Sequence, residues 1–173
     1  TQAALSRPTD VAIGPDGDLY ISDSGNFRIR KVKNGIVTTV AGSGARVFDG
    51  DGKQAIEAAI SPTGIAFDGE GRLLVADAHN HQVFRLDLLT GVITTIAGGR
   101  GSGFGGDGGL AMGAKLSSPS GVAVSMAGDV FIADSGNRRI RRIRLATGTI
   151  ETVAGSGRAA RAMEEGVAVD AAF

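Results

Sequence analysis

The sequence predicts an all-β fold built from three copies of one four-stranded antiparallel unit. Residues 11–32, 65–86 and 122–143 align without a gap, and each stretch is followed by a valine-rich run that ends in Ala-Gly. The chain also contains 28 glycines and is only 5% aromatic, a composition that suits short strands joined by tight turns. Self-similarity at a fixed period indicates an array of supersecondary units.

The middle copy illustrates the four strands of one unit. Apolar, partly β-branched runs at residues 64–67, 73–76, 83–86 and 92–96 are separated by turn sequences, which is the pattern of short strands. The runs are mostly apolar and do not strictly alternate with polar residues. We therefore expect each sheet to be covered on both faces.

Turn chemistry separates the strands in every copy. The second and third strands are joined by Asp-x-x-Asn, which ends at Asn26, Asn80 and Asn137. Because Asx side chains bond nearby backbone amides and tolerate left-handed backbone, this segment is predicted to be a tight hairpin turn. The third-to-fourth connections carry Asn34-Gly35 and two Thr-Gly pairs, again typical of turns.

Four short antiparallel strands recurring every 54 to 57 residues describe the blade of a β-propeller. We expect blades at approximately residues 8–42, 62–98 and 119–155, joined by long linkers within a single domain of residues 1–173. The first two linkers share a Gly-Asp-Gly phrase centred on Asp51 and Asp107. Counting ten residues from the Ala of the Ala-Gly pair places Glu164 at that position in the last linker.

Composition excludes several classes of function. Eighteen basic and eighteen acidic residues balance, which argues against nucleic acid as the principal partner. The absence of cysteine excludes a thiol nucleophile and thiolate zinc sites, and it fits either redox compartment, so the localisation stays open. No apolar run approaches a membrane span, and the first residues carry no signal-peptide core. We expect no membrane segment and no cofactor.

The hairpin phrase Asn80-His81-Gln82-Val83 resembles the Asn-His-Leu signature of NHL-repeat β-propellers. Phrases beginning at Asn26 and Asn137 are variants of it, and the Gly-Asp-Gly linkers look like those of bacterial NHL proteins and teneurin-type propellers. The resemblance covers essentially the whole chain. It implies the propeller fold, but propellers of this family serve as binding platforms, RNA-binding surfaces, adhesion modules and occasionally enzymes.

Three blades cannot close a ring, and the outer faces of the two end blades would be bare. We predict a homodimer that forms a six-bladed ring with two identical junctions. The rivals are a longer chain that supplies the other blades, including an excised or engineered fragment, and a nine-bladed trimer. Residues 171–173 align with 58–60 and with 3–5, so both ends carry the same piece of linker.

A basic cluster gives the candidate site. Strand alternation puts the Asx hairpins and the linkers on one rim, where we predict that a ligand-binding surface is formed by Arg28, His79, His81, Arg138 and Arg139. Such a rim could bind RNA phosphates. The alternative is that the arginines of the third strands pair with acids of neighbouring blades.

No catalytic constellation stands out. The two histidines lie in one turn, and Gly14, Asp68 and Ser125, which end the first strands, are a poor set of metal ligands. His79 and His81 with Asp77 could hold a metal, although His81 is also the signature residue expected to pack on its turn. We therefore predict no catalytic residue and no metal site, and a noncatalytic scaffold with a protein partner. The alternatives are a metal-dependent hydrolase or lyase and a single-stranded RNA binder.

Overall fold

A computed structural model of the protein describes residues 4–159 and 168–170. In these residues the chain forms three four-stranded antiparallel sheets, each a meander in which neighbours in sequence are neighbours in the sheet. Blade 1 contains β1 (Pro8–Ile13), β2 (Leu19–Asp23), β3 (Arg28–Lys33) and β4 (Ile36–Ala41). Blade 2 contains β5 (Pro62–Phe67), β6 (Leu73–Asp77), β7 (Gln82–Leu86) and β8 (Ile93–Gly98). Blade 3 contains β9 (Gly121–Val124), β10 (Val130–Asp134), β11 (Arg139–Ile143) and β12 (Ile150–Ala154). The predicted all-β architecture of three blades is confirmed.

The turns form where the sequence places them. Asn34 and Gly35 join β3 to β4 with φ of 50° and 75°, the positive backbone angles that a two-residue hairpin of primed type requires. The second-to-third hairpins of blades 1 and 3 contain single turns of 3₁₀-helix, Ser24–Asn26 and Ser135–Asn137. The residue after each of these Asn side chains is left-handed, which reverses the chain into the third strand.

Blade 2 is apolar on both faces because it packs between the other two. Leu73 and Phe84 belong to a core shared with blade 1, whereas Val83 belongs to a core shared with blade 3. All three are fully buried. Successive side chains of a strand point to opposite faces, so β7 supplies Phe84 to one core and Val83 to the other. The hydrophobic core therefore lies between the sheets.

The linkers complete these inter-blade cores. In the first linker, Ala55, Ala58 and Ile60 are buried in the core between blades 1 and 2. The same linker pairs with the outer strand of blade 2, where Gly52 N donates to Ile93 O at 2.8 Å and Ile93 N donates to Lys53 O at 3.1 Å. Each linker thus belongs structurally to the blade that follows it. Residues 53–59 of this linker form hydrogen-bonded turns.

The second linker repeats this arrangement with one 3₁₀ turn, Ala111–Gly113. Leu116 occupies the place of Ile60 and is also fully buried. None of the helices in the described part of the chain has the length and apolarity needed to cross a membrane.

The outer face of blade 1 is uncovered within one chain. Val11 and Ile13 are 58% and 65% exposed, whereas Ile65, at the place of Val11 in blade 2, is 4% exposed. On the outer face of blade 3, Phe131 and Ile140 are only half-buried. We call these two surfaces the blade 1 free face and the blade 3 free face.

Part of the predicted terminal overlap cannot be compared with the structure. Residues 171–173, residue 3 and Glu164 lie outside the described residues. At the other end, Leu5 is 41% exposed although Ile60, which aligns with it, is 0% exposed. The groove that the linker fills in blade 2 is therefore incompletely filled beside blade 1.

We predict that Ile60→Ala destabilises the chain by about 3 kcal/mol, because it removes a fully buried side chain from an inter-blade core and leaves a cavity. Leu89 is 99% exposed, so Leu89→Ala should change the free energy of unfolding by less than about 0.5 kcal/mol. Urea denaturation of both variants measures the difference. Equal stabilities would show that the linker is not part of the core.

Candidate functional site

The candidate rim is built on the three Asx hairpins. Asp23, Asp77 and Asp134 are fully buried at the ends of the second strands. Each carboxylate accepts hydrogen bonds from the amide of the Asn three residues later, at 2.8 to 3.0 Å. Each also accepts a backbone N–H from the end of the preceding linker. One buried carboxylate therefore ties a hairpin to the linker beside it.

The Asn side chains extend this network into the linkers. Asn80 Nδ2 donates to Arg46 O at 3.0 Å, and Asn80 Oδ1 accepts from Phe48 N at 3.0 Å. Asn137 Nδ2 donates to Gly103 O at 2.7 Å. The hairpins and linkers consequently share one rim, as strand alternation predicts.

Burial dominates the electrostatics of the middle hairpin. Desolvation raises the pKa of Asp77, and the hydrogen bonds from Ser61 and Asn80 oppose that shift. A carboxyl held in this way is a structural anchor, because its acceptor positions are already taken by donors of its own chain.

Three of the five predicted rim residues make bonds within the chain. Arg28 donates to Asn26 O and Ser43 O, both at 3.2 Å. Arg139 donates to Asn137 O at 3.0 Å and Ser156 O at 2.6 Å. His81 Nδ1 accepts from Ser118 N at 3.0 Å. Arg28 and Arg139 hold the start of the following linker against their own hairpin, whereas His81 binds the end of the linker that follows its blade.

The other two predicted rim residues, His79 and Arg138, are exposed. Each lies in an Asx hairpin, His79 in blade 2 and Arg138 in blade 3. The structure thus places all five residues on the same rim but distributes them over three hairpins, and it presents the side chains of only these two freely to solvent.

The remaining basic residues of the third strands are neutralised locally. Arg142 and Arg144 both pair with Glu151 of the adjacent strand, and these hydrogen bonds lower the pKa of Glu151, with Arg142 making the largest contribution. Lys31 pairs with Asp16 and Asp18, and the hydrogen bond from Lys31 lowers the pKa of Asp16 to about 2. For Lys31, Arg142 and Arg144 the acids therefore come from the same blade, and not from a neighbouring blade as the alternative interpretation has it. An acid on the next strand is already within reach across the ladder.

Arg141 is the exception, because it is fully buried. Its guanidinium pairs with Asp107 of the preceding linker at 2.6 Å and with Asp134 at 3.4 Å, and it donates to Gly105 O at 3.2 Å. The guanidinium also lies over the Phe104 ring, 4.9 Å from the centroid, a cation–π contact. The sequence analysis missed this linker site, because two adjacent arginines cannot be distinguished until it is known which face of the sheet each one lies on.

The Asp of Gly-Asp-Gly performs related tasks in both described linkers. Asp107 Oδ2 accepts from Thr152 Oγ1 at 2.7 Å, and Asp51 Oδ1 accepts from Thr95 N at 2.6 Å. Thr152 and Thr95 occupy equivalent positions on the fourth strands. The carboxylate therefore fastens each linker to the outer strand of the next blade.

An apolar cleft of about 570 Å³ opens between blades 2 and 3 on the opposite rim. Its walls include Leu74, Ile96, Met112 and Leu145. No sequence motif indicates this cleft, because a gap between two blades depends on the angle between their sheets. Asp68, one of the positions considered for a channel metal, forms an ion pair with Arg72 at 2.8 Å. Among the described residues, no cluster of three or more His, Cys, Asp or Glu side chains could hold a metal ion.

Comparison with known proteins identifies the repeats. The family model of the NHL repeat matches residues 5–32, 60–86 and 116–143. The chain is 32% identical over 155 residues to Protein SUPPRESSOR OF QUENCHING 1, chloroplastic, of Arabidopsis thaliana, a match that covers 84% of the chain and 14% of that protein. It is 35% identical over 163 residues to mouse Teneurin-1, covering 83% of the chain and 6% of that protein. The chain thus spans a small part of these relatives.

Among solved structures, virginiamycin B lyase from Staphylococcus aureus has a similar fold. The TM-score is 0.59 with 17% sequence identity, and the match covers 88% of this chain and 42% of the lyase chain. At this identity the likeness shows the fold alone. The three blades therefore correspond to less than half of the matched chain.

We predict that Asp107→Ala destabilises the chain by about 3 kcal/mol, because it leaves the buried Arg141 with one carboxylate fewer. Blade 2 has Phe84 at the position of Arg141. Asp51→Ala therefore removes the equivalent acid without leaving a buried charge, and it should cost about 1 kcal/mol, the value of a hydrogen bond. Combining Asp107→Ala with Arg141→Phe should recover most of the loss. Thermal unfolding monitored by circular dichroism measures all three, and equal costs for the two alanine variants would contradict a role for the buried charge.

Proposed function

Because the chain belongs to the NHL-repeat family, we propose that it is a noncatalytic β-propeller scaffold. In this proposal three blades form half of a ring, a second copy of the chain supplies the other half, and the rim of the closed ring binds another protein. The observation that carries the proposal is the blade 1 free face, where Val11 is 58% exposed although its counterpart Ile65 in blade 2 is buried.

The two free faces are expected to fit each other because they use the same strand positions as the junctions that the chain already contains. The surface of blade 2 that meets blade 1 has the same strand positions as the blade 1 free face, with Ile65 and Phe67 in place of Val11 and Ile13. The blade 3 free face likewise uses the positions through which blade 2 meets blade 3, with Phe131 in place of Leu74. A blade 3 to blade 1 contact therefore reproduces a junction that the chain already makes twice.

A two-fold axis converts this contact into a closed assembly. Blade 3 of each copy would meet blade 1 of the other, giving two identical junctions and no remaining free face. Large exposed apolar patches are unfavourable on soluble monomers, so closure removes the least favourable surface of the arc.

The noncatalytic proposal is supported by the hydrogen bonds and the ion pair that the candidate catalytic groups form within the chain. His81 Nδ1 accepts a backbone hydrogen bond, Asp77 ties a hairpin to a linker, and Asp68 is paired with Arg72. These groups have structural tasks and are not presented for proton transfer or metal ligation. The fold shared with a lyase makes a metal-dependent lyase or hydrolase the rival class.

A protein is the partner that suits the rim better than RNA. The basic side chains of β3 and β11 that pair with acids offer little net positive potential to a phosphate backbone. Exposed His79 and Arg138 remain as contacts of the adaptable, hydrogen-bonding kind found at protein interfaces.

We predict that light scattering at micromolar concentration gives a mass twice the 17.5 kDa of one chain. Ile13→Asp places a charge on the blade 1 free face and should yield monomer, whereas Leu89→Asp, at a fully exposed position, should leave the dimer intact. A well-behaved monomer of the unmodified chain would overturn the proposed ring. A mass of three copies would favour the nine-bladed alternative instead.

The same purified sample tests the noncatalytic assignment. We expect substoichiometric calcium and zinc by elemental analysis, because the carboxylates and His81 are engaged within the chain. One equivalent of either metal that resists dialysis would instead support the lyase or hydrolase class. Salt-insensitive, weak retention on single-stranded RNA is the expected control result, and steep salt dependence would support the RNA-binding alternative.

A further inference from the structure

We infer that the apolar cleft between blades 2 and 3 binds a small organic carboxylate, whose apolar body fills the cleft and whose head group pairs with Arg85. The cleft has a volume of about 570 Å³, which is within the range of small-molecule sites. All of its walls belong to one chain, so this binding site goes beyond the proposed scaffold function and does not require the ring.

Arg85 lacks the acid that its counterparts in the other blades have. Lys31, at this repeat position in blade 1, pairs with Asp18 at 2.9 Å. Arg142, at the same position in blade 3, lies 3.9 Å from Asp129. In the part of the chain that the structure describes, Arg85 forms neither an ion pair nor a side-chain hydrogen bond, although it is half-buried.

The sequence of blade 2 explains why this acid is missing. Arg72 stands at the repeat position of Asp18 and Asp129. On the fourth strand, Thr94 lies opposite Arg85, whereas blade 3 has a glutamate at that place. Because a guanidinium does not lose its proton in proteins, Arg85 keeps its positive charge in the cleft wall without a carboxylate beside it.

The other charges on the cleft walls are already matched within the chain. Asp68 and Glu70 both pair with Arg72, at 2.8 and 2.7 Å, and Arg144 pairs with the glutamate of β12. A carboxylate suits the remaining guanidinium of Arg85, because the two groups can form paired charge-assisted hydrogen bonds. The apolar walls favour a carboxylate over a phosphate dianion, which costs more to desolvate.

The space for an apolar ligand body comes from two small side chains at places that the other junction fills with rings. Between blades 1 and 2, Tyr20 packs edge to face against Phe67, with ring centroids 5.0 Å apart. Leu74 and Val124 have these repeat positions between blades 2 and 3, and Leu74 forms part of the cleft wall. Two aliphatic side chains thus stand where the first junction has an aromatic pair.

The mouth of the cleft is apolar and adaptable. Met112, Met126 and Leu145 line it and are exposed, with Met112 at 56% and Leu145 at 61%. Methionine side chains are flexible and fill irregular apolar gaps. A bound apolar body would remove these side chains from water, which is favourable.

Isothermal titration calorimetry with decanoate and with naphthoate tests the inference. Decyltrimethylammonium and decanol are the matched controls, because they attach a cationic and a neutral head group to the chain of decanoate. We expect at least one of the two carboxylates to bind at one site per chain. The cationic control should bind at least about tenfold more weakly than decanoate, the scale of losing a charge-assisted hydrogen bond.

Substitutions of Arg85 test the head-group contact. Arg85→Gln should weaken carboxylate binding by at least about tenfold and remove the preference for decanoate over decanol. Arg85→Lys keeps the charge and should keep the preference. Arg46 is an exposed arginine of the first linker, so Arg46→Gln should leave the binding constants unchanged.

A second variant tests the position of the apolar body. Leu74→Tyr combined with Val124→Phe introduces the aromatic pair of the first junction into the cleft and should abolish binding of both carboxylates. Circular dichroism establishes that each variant is folded. If this double variant does not fold, the comparison of R85Q with R46Q still decides whether the carboxylate pairs with Arg85.

Three results would overturn the inference. Absence of binding by both carboxylates would leave the cleft as a surface for a protein partner. Equal affinities for decanoate and decyltrimethylammonium, or affinities that R85Q does not change, would show that Arg85 does not select a carboxylate. A change of mass in L74Y/V124F by light scattering would show that a second copy of the chain occupies the cleft.

These outcomes are distinct from those that test the proposed function. A monomeric unmodified chain that binds decanoate through Arg85 would overturn the ring and support the carboxylate site. A dimeric unmodified chain that binds neither carboxylate would overturn the site and leave the ring in place.

Discussion

The structure depends on one constraint, which is that a blade is too thin to bury its own side chains. The two clusters of buried apolar residues lie at the two junctions between blades. Each cluster joins side chains from two sheets and one linker, and none is contained within a sheet. An arc therefore has one junction fewer than it has blades, whereas a closed ring has as many junctions as blades. A closed ring would therefore bury apolar blade faces that an arc leaves exposed.

The linkers give this architecture a direction. A linker leaves the fourth strand of one blade, places alanines and one larger apolar residue into the junction, and then pairs with the fourth strand of the next blade through segments such as Gly52–Lys53. The buried Asx carboxylate of the next hairpin binds the end of the same linker, as Asp77 binds Ser61 N. Because both attachments are made to the following blade, the two ends of an arc differ.

The sequence predicted the strands and turns because they follow from local chemistry: apolar runs of strand length, Asx pairs and Asn-Gly. It did not predict the fates of the arginines. Arg141 and Arg142 are neighbours, yet the first is fully buried and the second pairs with Glu151 at the surface, since successive residues face opposite sides of a strand. Arg28 and Arg139 looked available for a ligand but bond to carbonyls of the following linker, and backbone carbonyls leave no trace in a sequence motif.

One position of the repeat, opposite a threonine of the fourth strand, carries Arg30, Phe84 and Arg141 in blades 1, 2 and 3. Phe84 fills it in blade 2 without needing a partner, and replacing a buried ion pair by an apolar group is often neutral or stabilising. If burial alone governed the position, phenylalanine would serve in every blade. An arginine at position 30 interrupts an exposed apolar face with a charge, which disfavours nonspecific association of the open arc. In blade 3 an arginine at this position is compatible with a buried junction because Asp107 of the preceding linker pairs with Arg141.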